Sequence, residues 1–258
     1  MKKGILVVSF GTSYKETREK CIESIEHAIG SNYPEYEIRR AFTSNMIIKK
    51  LKERDGIYID TPLEALEKMV SDGFENIHVQ PLHVIPGFEY EKVTNAVVKI
   101  KHKSNISISV GSPLLNKEEH YDEMIEALMS RLPNEKSKEG VLLMGHGTDH
   151  FANACYSMLQ NKISDVRGDV IIANVEGYPE IDDVIEDIEE KFSKMTLMPL
   201  MIVAGDHAIN DMAGDEDSYK TMLSERNIET DCILEGLGQN EGIQDIFVKR
   251  VAESLRDQ

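Results

Sequence analysis

The residues Gly4-Ile5-Leu6-Val7-Val8-Ser9-Phe10-Gly11-Thr12 return 136 positions later as Gly140-Val141-Leu142-Leu143-Met144-Gly145-His146-Gly147-Thr148. The two copies are identical at both glycines, one leucine and the threonine. A second echo pairs Pro81-Leu82-His83-Val84-Ile85-Pro86-Gly87-Phe88-Glu89 with Pro199-Leu200-Met201-Ile202-Val203-Ala204-Gly205-Asp206-His207 at an offset of 118. Two echoes in the same order are the signature of a duplicated unit. They predict two similar halves, 1–133 and 134–258, divided at the polar stretch Pro133-Asn134-Glu135-Lys136. The last helix is expected to pack back on the first half.

Each half alternates short β-rich runs with longer helical patterns. In the first half, the continuous apolar run Ile5-Leu6-Val7-Val8 reads as a strand buried on both faces. Strands are also predicted at 37–42, 77–82 and 106–110. Helices are predicted at 17–29 with Gly30 as the stop, at 45–53, from Thr61 as cap with Pro62 in the first turn, and at 90–101. The second half gives strands at 141–144, 170–175, 197–203 and 232–234, with helices at 151–162, 181–192, 217–226 and 243–255. The expected fold class is therefore α/β: two Rossmann-like halves, each a parallel sheet flanked by helices.

Composition excludes several classes of function. Of 258 residues, 46 are acidic and 29 basic, for a net charge of −17, which repels nucleic acid and anionic membrane. No apolar run approaches a membrane span, and the apolar start at Ile5 is too short for a secretory signal. Three scattered cysteines, Cys21, Cys155 and Cys232, make no disulfide framework and no thiolate zinc pair. A cytoplasmic location is expected. The phosphate loop Gly-x-x-x-x-Gly-Lys-Ser/Thr, the dinucleotide pattern Gly-x-Gly-x-x-Gly and the nucleophile elbow Gly-x-Ser-x-Gly are all missing from the sequence.

Open α/β sheets bind ligands beyond the carboxyl ends of their strands. The echoes place Phe10 and His146 after the first strand of each half, and Glu89 and His207 after the third. Glu176 follows the strand at 170–175. Two imidazoles with one or two carboxylates suit a transition metal in an open site. Gly145 and Gly147 are expected to let a flat ligand reach the backbone beside His146, and Asp206 or Asp211 to fix the tautomer of His207. The blander readings are a turn histidine at 146 and a helix cap near Asn210. His78 and His83 read as core histidines, His27, His102 and His120 as surface ones, and His150 as a pocket rim. Met195, Met198 and Met201 read as core packing.

At these residues the chain closely resembles the anaerobic cobalt chelatases of cobalamin biosynthesis, the sirohydrochlorin cobaltochelatases of the CbiK type. These are ATP-independent class II chelatases with protoporphyrin ferrochelatase as a distant relative. The segments that carry the likeness are Leu6 to Ser13, Arg40 to Ser44, Asp55-Gly56 through Leu63, Glu89 to Lys92, Met144 to Gly147, Val175 to Pro179, and Met198 through Met212. The likeness spans essentially the whole chain, and the last segment is the most specific.

The resemblance implies a bilobal chelatase-like fold with the tetrapyrrole between the lobes. It implies His146, Glu176 and His207 as metal ligands, with His146 also the proton acceptor, and Glu89 as a further acidic group with a catalytic role. Ser9, Phe10, Gly11, Thr12, Pro86 and Gly87 are expected to hold the ring. Partners would be a tetrapyrrole and a divalent metal, with no cofactor beyond the substrate metal. Co2+ is expected, with Fe2+ or Ni2+ insertion, or a non-catalytic carrier of metal or tetrapyrrole, as alternatives. A homo-oligomer stays open. Two positions depart from the pattern: Gly177, where some relatives carry serine, and the loop Ile85-Pro86-Gly87-Phe88. Because substrate and protein are both acidic, a local basic patch is required, and Arg39, Arg40, Lys49, Lys50, Lys52 and Arg54 are its densest candidate, with a solvated helix face as the equal alternative for the last four.

Overall fold

A computed structural model describes residues 2–104 and 106–256. It contains two four-stranded sheets of the same topology, in the orders β2-β1-β3-β4 and β6-β5-β7-β8. The first is built from β1 (Lys2–Ser9), β2 (Glu37–Phe42), β3 (Phe74–Pro81) and β4 (Ser107–Val110). The second is built from β5 (Glu139–Gly147), β6 (Val170–Glu176), β7 (Lys194–Pro199) and β8 (Glu229–Cys232). Every strand pair is parallel, so each connection is a crossover through a helix or a long loop. The expected α/β class and the repeated plan are what the chain adopts.

The apolar runs are continuous because each central strand is covered on both faces. Ile5 and Val7 of β1, with Val141 and Leu143 of β5, point into one shared core. Leu6 and Val8 face a second core beneath the helices Pro62–Ser71 and Phe88–Lys103. Leu142 and Met144 face a third, beneath Ile181–Lys191 and Tyr219–Glu225. The shared core lies between the sheets and takes Ile25, Met124, Leu159 and Phe247 from four helices. One of these is the final helix, Glu241–Arg256, which lies against Ser24–Asn32, Glu118–Met129 and β3. The two sheets are thus bonded through a common apolar layer, which fixes how their strand ends face one another.

Local signals behave as the chain chemistry demands in most places. Thr61 caps the Pro62–Ser71 helix in a reciprocal box with Glu64. Met195 and Met198 are both buried, in different cores, as spacing three on a strand requires.

Four expectations need correction. Gly30 does not end its helix: Lys15–Thr17, Arg18–Glu23 and Ser24–Asn32 run on, with the middle stretch π-wound. The strand expected at 197–203 lies at Lys194–Pro199, because Leu200 and Ile202 are apolar for the shared core and not for the sheet. The last strand falls at 229–232, not 232–234, with polar residues at an edge. His120 is buried, accepting from the Lys117 backbone N–H, because it sits on the core face of Glu118–Met129. That helix is absent from the sequence reading, although Tyr121, Met124, Ile125 and Leu128 carry its apolar stripe.

Candidate active site

Strand order decides where a ligand is received. In each sheet the chain leaves its first strand to one side and returns to pair on the other, so β1 lies between β2 and β3, and β5 between β6 and β7. Loops leaving such a switch point diverge and open a crevice at the carboxyl ends. His146 is the penultimate residue of β5. His207 follows β7, immediately before the π-wound turn Ala208–Met212. Switch-point topology therefore brings the two imidazoles together, edge to face, with 4.8 Å between ring centroids and 87° between planes.

Both rings are oriented through Nδ1. His146 Nδ1 lies 2.9 Å from the carbonyl oxygen of Gly147. A carbonyl only accepts, so Nδ1 carries the proton and Nε2 keeps its lone pair. His207 Nδ1 lies 2.6 Å from Asp211 Oδ2, and the carboxylate sets the same tautomer and holds the ring in place. Asp211 lies four residues on, a spacing that sets the two side chains on the same face of the helical turn. Asp206, the other expected partner of His207, instead accepts from the Tyr14 hydroxyl at 3.0 Å.

Glu176 ends β6 and stands beside Gly147 in the β5–β6 register. Its side chain is exposed. The loop after it is braced by Asn153, whose Oδ1 accepts from Thr148 N at 3.1 Å and whose Nδ2 donates to the Tyr178 carbonyl at 2.5 Å. Among the described residues, no three His, Cys, Asp or Glu side chains stand close enough together to hold a metal. The structure therefore pairs His146 with His207, and it leaves the Glu176 carboxylate at the neighbouring strand end.

The glycines beside His146 serve a purpose other than the expected ligand approach. A Cβ at Gly147, where φ is +74°, would lie 1.6 Å from the Glu176 carbonyl oxygen. One at Gly145 would lie 2.3 Å from Asn174 Oδ1 and 2.7 Å from the Tyr156 ring. Both positions are taken by the protein itself, so the glycines allow strand β6 and Tyr156 to close on β5.

Glu89 lies in the first turn of the Phe88–Lys103 helix. Its Oε1 pairs with Lys92 at 2.6 Å, while Oε2 is buried and has no hydrogen-bond partner among the described residues. His83 lies within its field, and burial holds that imidazole down to about 4, partly offset by Glu89. His83 is therefore neutral near pH 7, as is buried His78. Ser9 at the end of β1 and Gly11 and Thr12 in the loop after it are buried, and Phe10 is exposed. Pro86 is half-buried and Gly87 buried. Of the ring-holding candidates, Phe10 and Pro86 present side-chain surface.

The basic cluster is largely neutralised internally. Arg39 is held by Glu37 and Asp72, Arg40 by Glu23 and Glu26, and Arg54 by Asp55 and the Ser13 carbonyl. Lys50 instead lies 5.9 Å from the Tyr14 ring centroid. Tyr14 itself escaped the sequence reading. Its signal was available, since it lies in the β1 loop at the place His150 occupies in the β5 loop, 136 positions on.

Residues 3–256 match the family model described as cobalt chelatase (CbiK). The chain is 42% identical to the sirohydrochlorin cobaltochelatase of Salmonella typhimurium over 257 residues, covering 99% of this chain and 97% of that protein. It is 31% identical to sirohydrochlorin cobaltochelatase CbiKC of Nitratidesulfovibrio vulgaris, covering 98% and 91%. In fold it is similar to SirB from Bacillus subtilis, solved with Fe3+, at a TM-score of 0.69 and 17% identity, covering 98% of this chain and 96% of that one.

Proposed function

The chain belongs to the cobalt chelatase (CbiK) family, and from that premise we propose how its own residues insert Co2+ into sirohydrochlorin. Insertion exchanges two pyrrole N–H protons for one divalent ion. The protein must present lone pairs to the ion, receive protons, and then let the ion go. The observation that carries the reading is the pair of imidazoles, 4.8 Å apart, each with Nδ1 engaged and Nε2 left with its lone pair.

Neutral imidazole suits Co2+, and a carboxylate completes a mixed shell. In this reading His146, His207 and Glu176 receive the ion, with Glu176 swinging in from the adjacent strand end. A site assembled only on metal arrival holds its ion loosely, as an ion destined for four pyrrole nitrogens requires. Because His146 offers one lone pair, it cannot hold metal and proton at once. It therefore binds first and accepts a pyrrole proton as the ion passes to the ring. Glu89, in the first turn of the Phe88–Lys103 helix, takes the second proton; its Oε2 has no hydrogen-bond partner among the described residues to compete for it. The ring lies between, against Phe10 and Pro86. No ATP is required, because transfer runs from a weak open site to a strong macrocyclic one.

His146→Ala tests the reading, with insertion followed by the absorbance of the macrocycle and folding by circular dichroism. Loss of insertion by a folded variant is expected, and a folded variant that inserts at the wild-type rate overturns the assignment. The same assay run with Co2+, Fe2+ and Ni2+ ranks the metals, with Co2+ expected to lead.

A further inference from the structure

Among the described residues, two side-chain contacts, Tyr14–Asp206 and His150–Glu91, join the first-strand loop of one half to the third-strand loop of the other. On one side, Tyr14 of the β1 loop donates to Asp206 of the β7 loop at 3.0 Å. A would-be Cβ on Gly205 lies 3.8 Å from Thr12 Oγ1, so these loops run close together. On the other side, His150 of the β5 loop reaches the start of the helix that follows β3. Its Nδ1 accepts from the Ala152 N–H at 3.1 Å, which places the ring proton on Nε2, 3.3 Å from Glu91 Oε1. The ring packs between Phe88, centroids 4.7 Å apart, and Phe151, 4.2 Å apart. With both nitrogens engaged and the ring buried, His150 is a structural joint and not a ligand.

The duplication relates the two contacts. Tyr14 and His150 lie two residues past the first echo at the same offset of 136, and Phe88 and Asp206 occupy the same place in the second. The loop of each half's first strand thus grips the loop of the other half's third strand, once by phenol and carboxylate, once by imidazole, carboxylate and aromatic edge. Asp206 precedes His207, and Phe88 and Glu91 bracket Glu89.

We propose that Tyr14–Asp206 and His150–Glu91 are a pair of cross-cleft braces, and that His150 and Tyr14 are positioning residues that set the separation of Glu89 from His146 and His207. The proposal rests on the reading of that cleft as the insertion site. A macrocycle seated between two walls reacts only when both walls are in register with it, and small misplacements are costly in rate.

The test is a double-mutant cycle of H150A, E91A and H150A/E91A, with Y14F made separately. Insertion of Co2+ is measured as kcat and KM for sirohydrochlorin, with the melting temperature as control. H150A and E91A are each expected to lower kcat/KM about tenfold with the chain still folded, and the double variant to be little worse than either single, because one contact carries both effects. H150Q, which restores a donor toward Glu91, is expected to recover part of the loss, and Y14F to lower kcat/KM several-fold. Wild-type kcat/KM in H150A, multiplicative losses in the double variant, or losses that track thermal unfolding would each overturn the braces. H146A run in parallel separates the two readings. An active H146A beside a non-additive cycle removes the ligand assignment and keeps the braces, whereas an inactive H146A beside an additive cycle does the reverse.

Discussion

Asp211 accepts the Nδ1 proton of His207 at 2.6 Å, four residues along a π-wound turn. This bond orients the ring and fixes which nitrogen faces the cleft. Removing the carboxylate in D211A frees the ring to rotate and change tautomer, so the half-saturating Co2+ concentration is expected to rise roughly 10- to 100-fold. D211N keeps an accepting oxygen and should lose less. Initial insertion rates against Co2+ concentration check both, and an unchanged D211A curve would refute the orienting role.

Gly147 is expected to be intolerant of any side chain. Its φ of +74° disfavours an L residue, and a Cβ would overlap the Glu176 carbonyl. The overlapping atom is backbone in the paired strand, so relief requires β6 to move away from β5. G147A should cost about 3 kcal/mol, a fall in melting temperature of roughly 6–12 °C. A melt within 2 °C or so of wild type would contradict this.

Acid stability should carry the mark of His78. Burial holds this imidazole down to about 4, and its neutral ring is satisfied by Ser109 at 2.8 Å and Gln80 at 3.3 Å. In the unfolded chain the ring protonates near 6.5. Between those values the unfolded state binds a proton that the folded state refuses, so stability is full above about 6.5, falls as pH drops toward 4, and levels below. The loss is of order 3 kcal/mol across that window. Denaturant midpoints at pH 7 and pH 4.5 measure it, and H78Q should show a shallower fall; His83 adds a contribution of the same sign.

Arg250 ties the last helix to the body. It is fully buried and bonds Glu123 Oε2 at 2.5 Å and Glu253 at 3.4 Å. R250A strips Glu123 of its buried partner and opens a gap in the Glu241–Arg256 packing, an expected cost of about 3 kcal/mol. A thermal melt should fall by roughly 6–12 °C, with residual activity at low temperature, since the residue lies away from the imidazole pair.

Much of this was legible because it is local. The runs at Ile5 and Val141 announce central strands, and Thr61-Pro62 announces a helix start. His146 and His207 were singled out because the echoes place both at strand ends. Gly145 and Gly147 were misread because a glycine pair looks the same whether it admits a ligand or a neighbouring strand. The contact with Glu176 that distinguishes these cases is made 29 positions away, between Gly147 and Glu176. Arg39 and Arg40 look available in sequence because the carboxylates Asp72 and Glu26, which complete their pairing, lie on other elements, although Glu37 on the same strand also holds Arg39.

The sequence by itself determined the duplicated α/β plan and the set of residues that strand ends can offer, because period, punctuation and repetition act within tens of residues. Only the tertiary structure decided which of those residues meet. His146 and His207 face each other because β7 returns beside β5, Asp211 and not Asp206 holds His207 because it lies four residues on along the same helical turn while Asp206 is engaged by Tyr14, and Tyr14 reaches Asp206 across 192 positions because a shared apolar layer locks the two sheets. Such contacts follow from how buried surfaces pack, a property of the assembled cores that no local pattern carries.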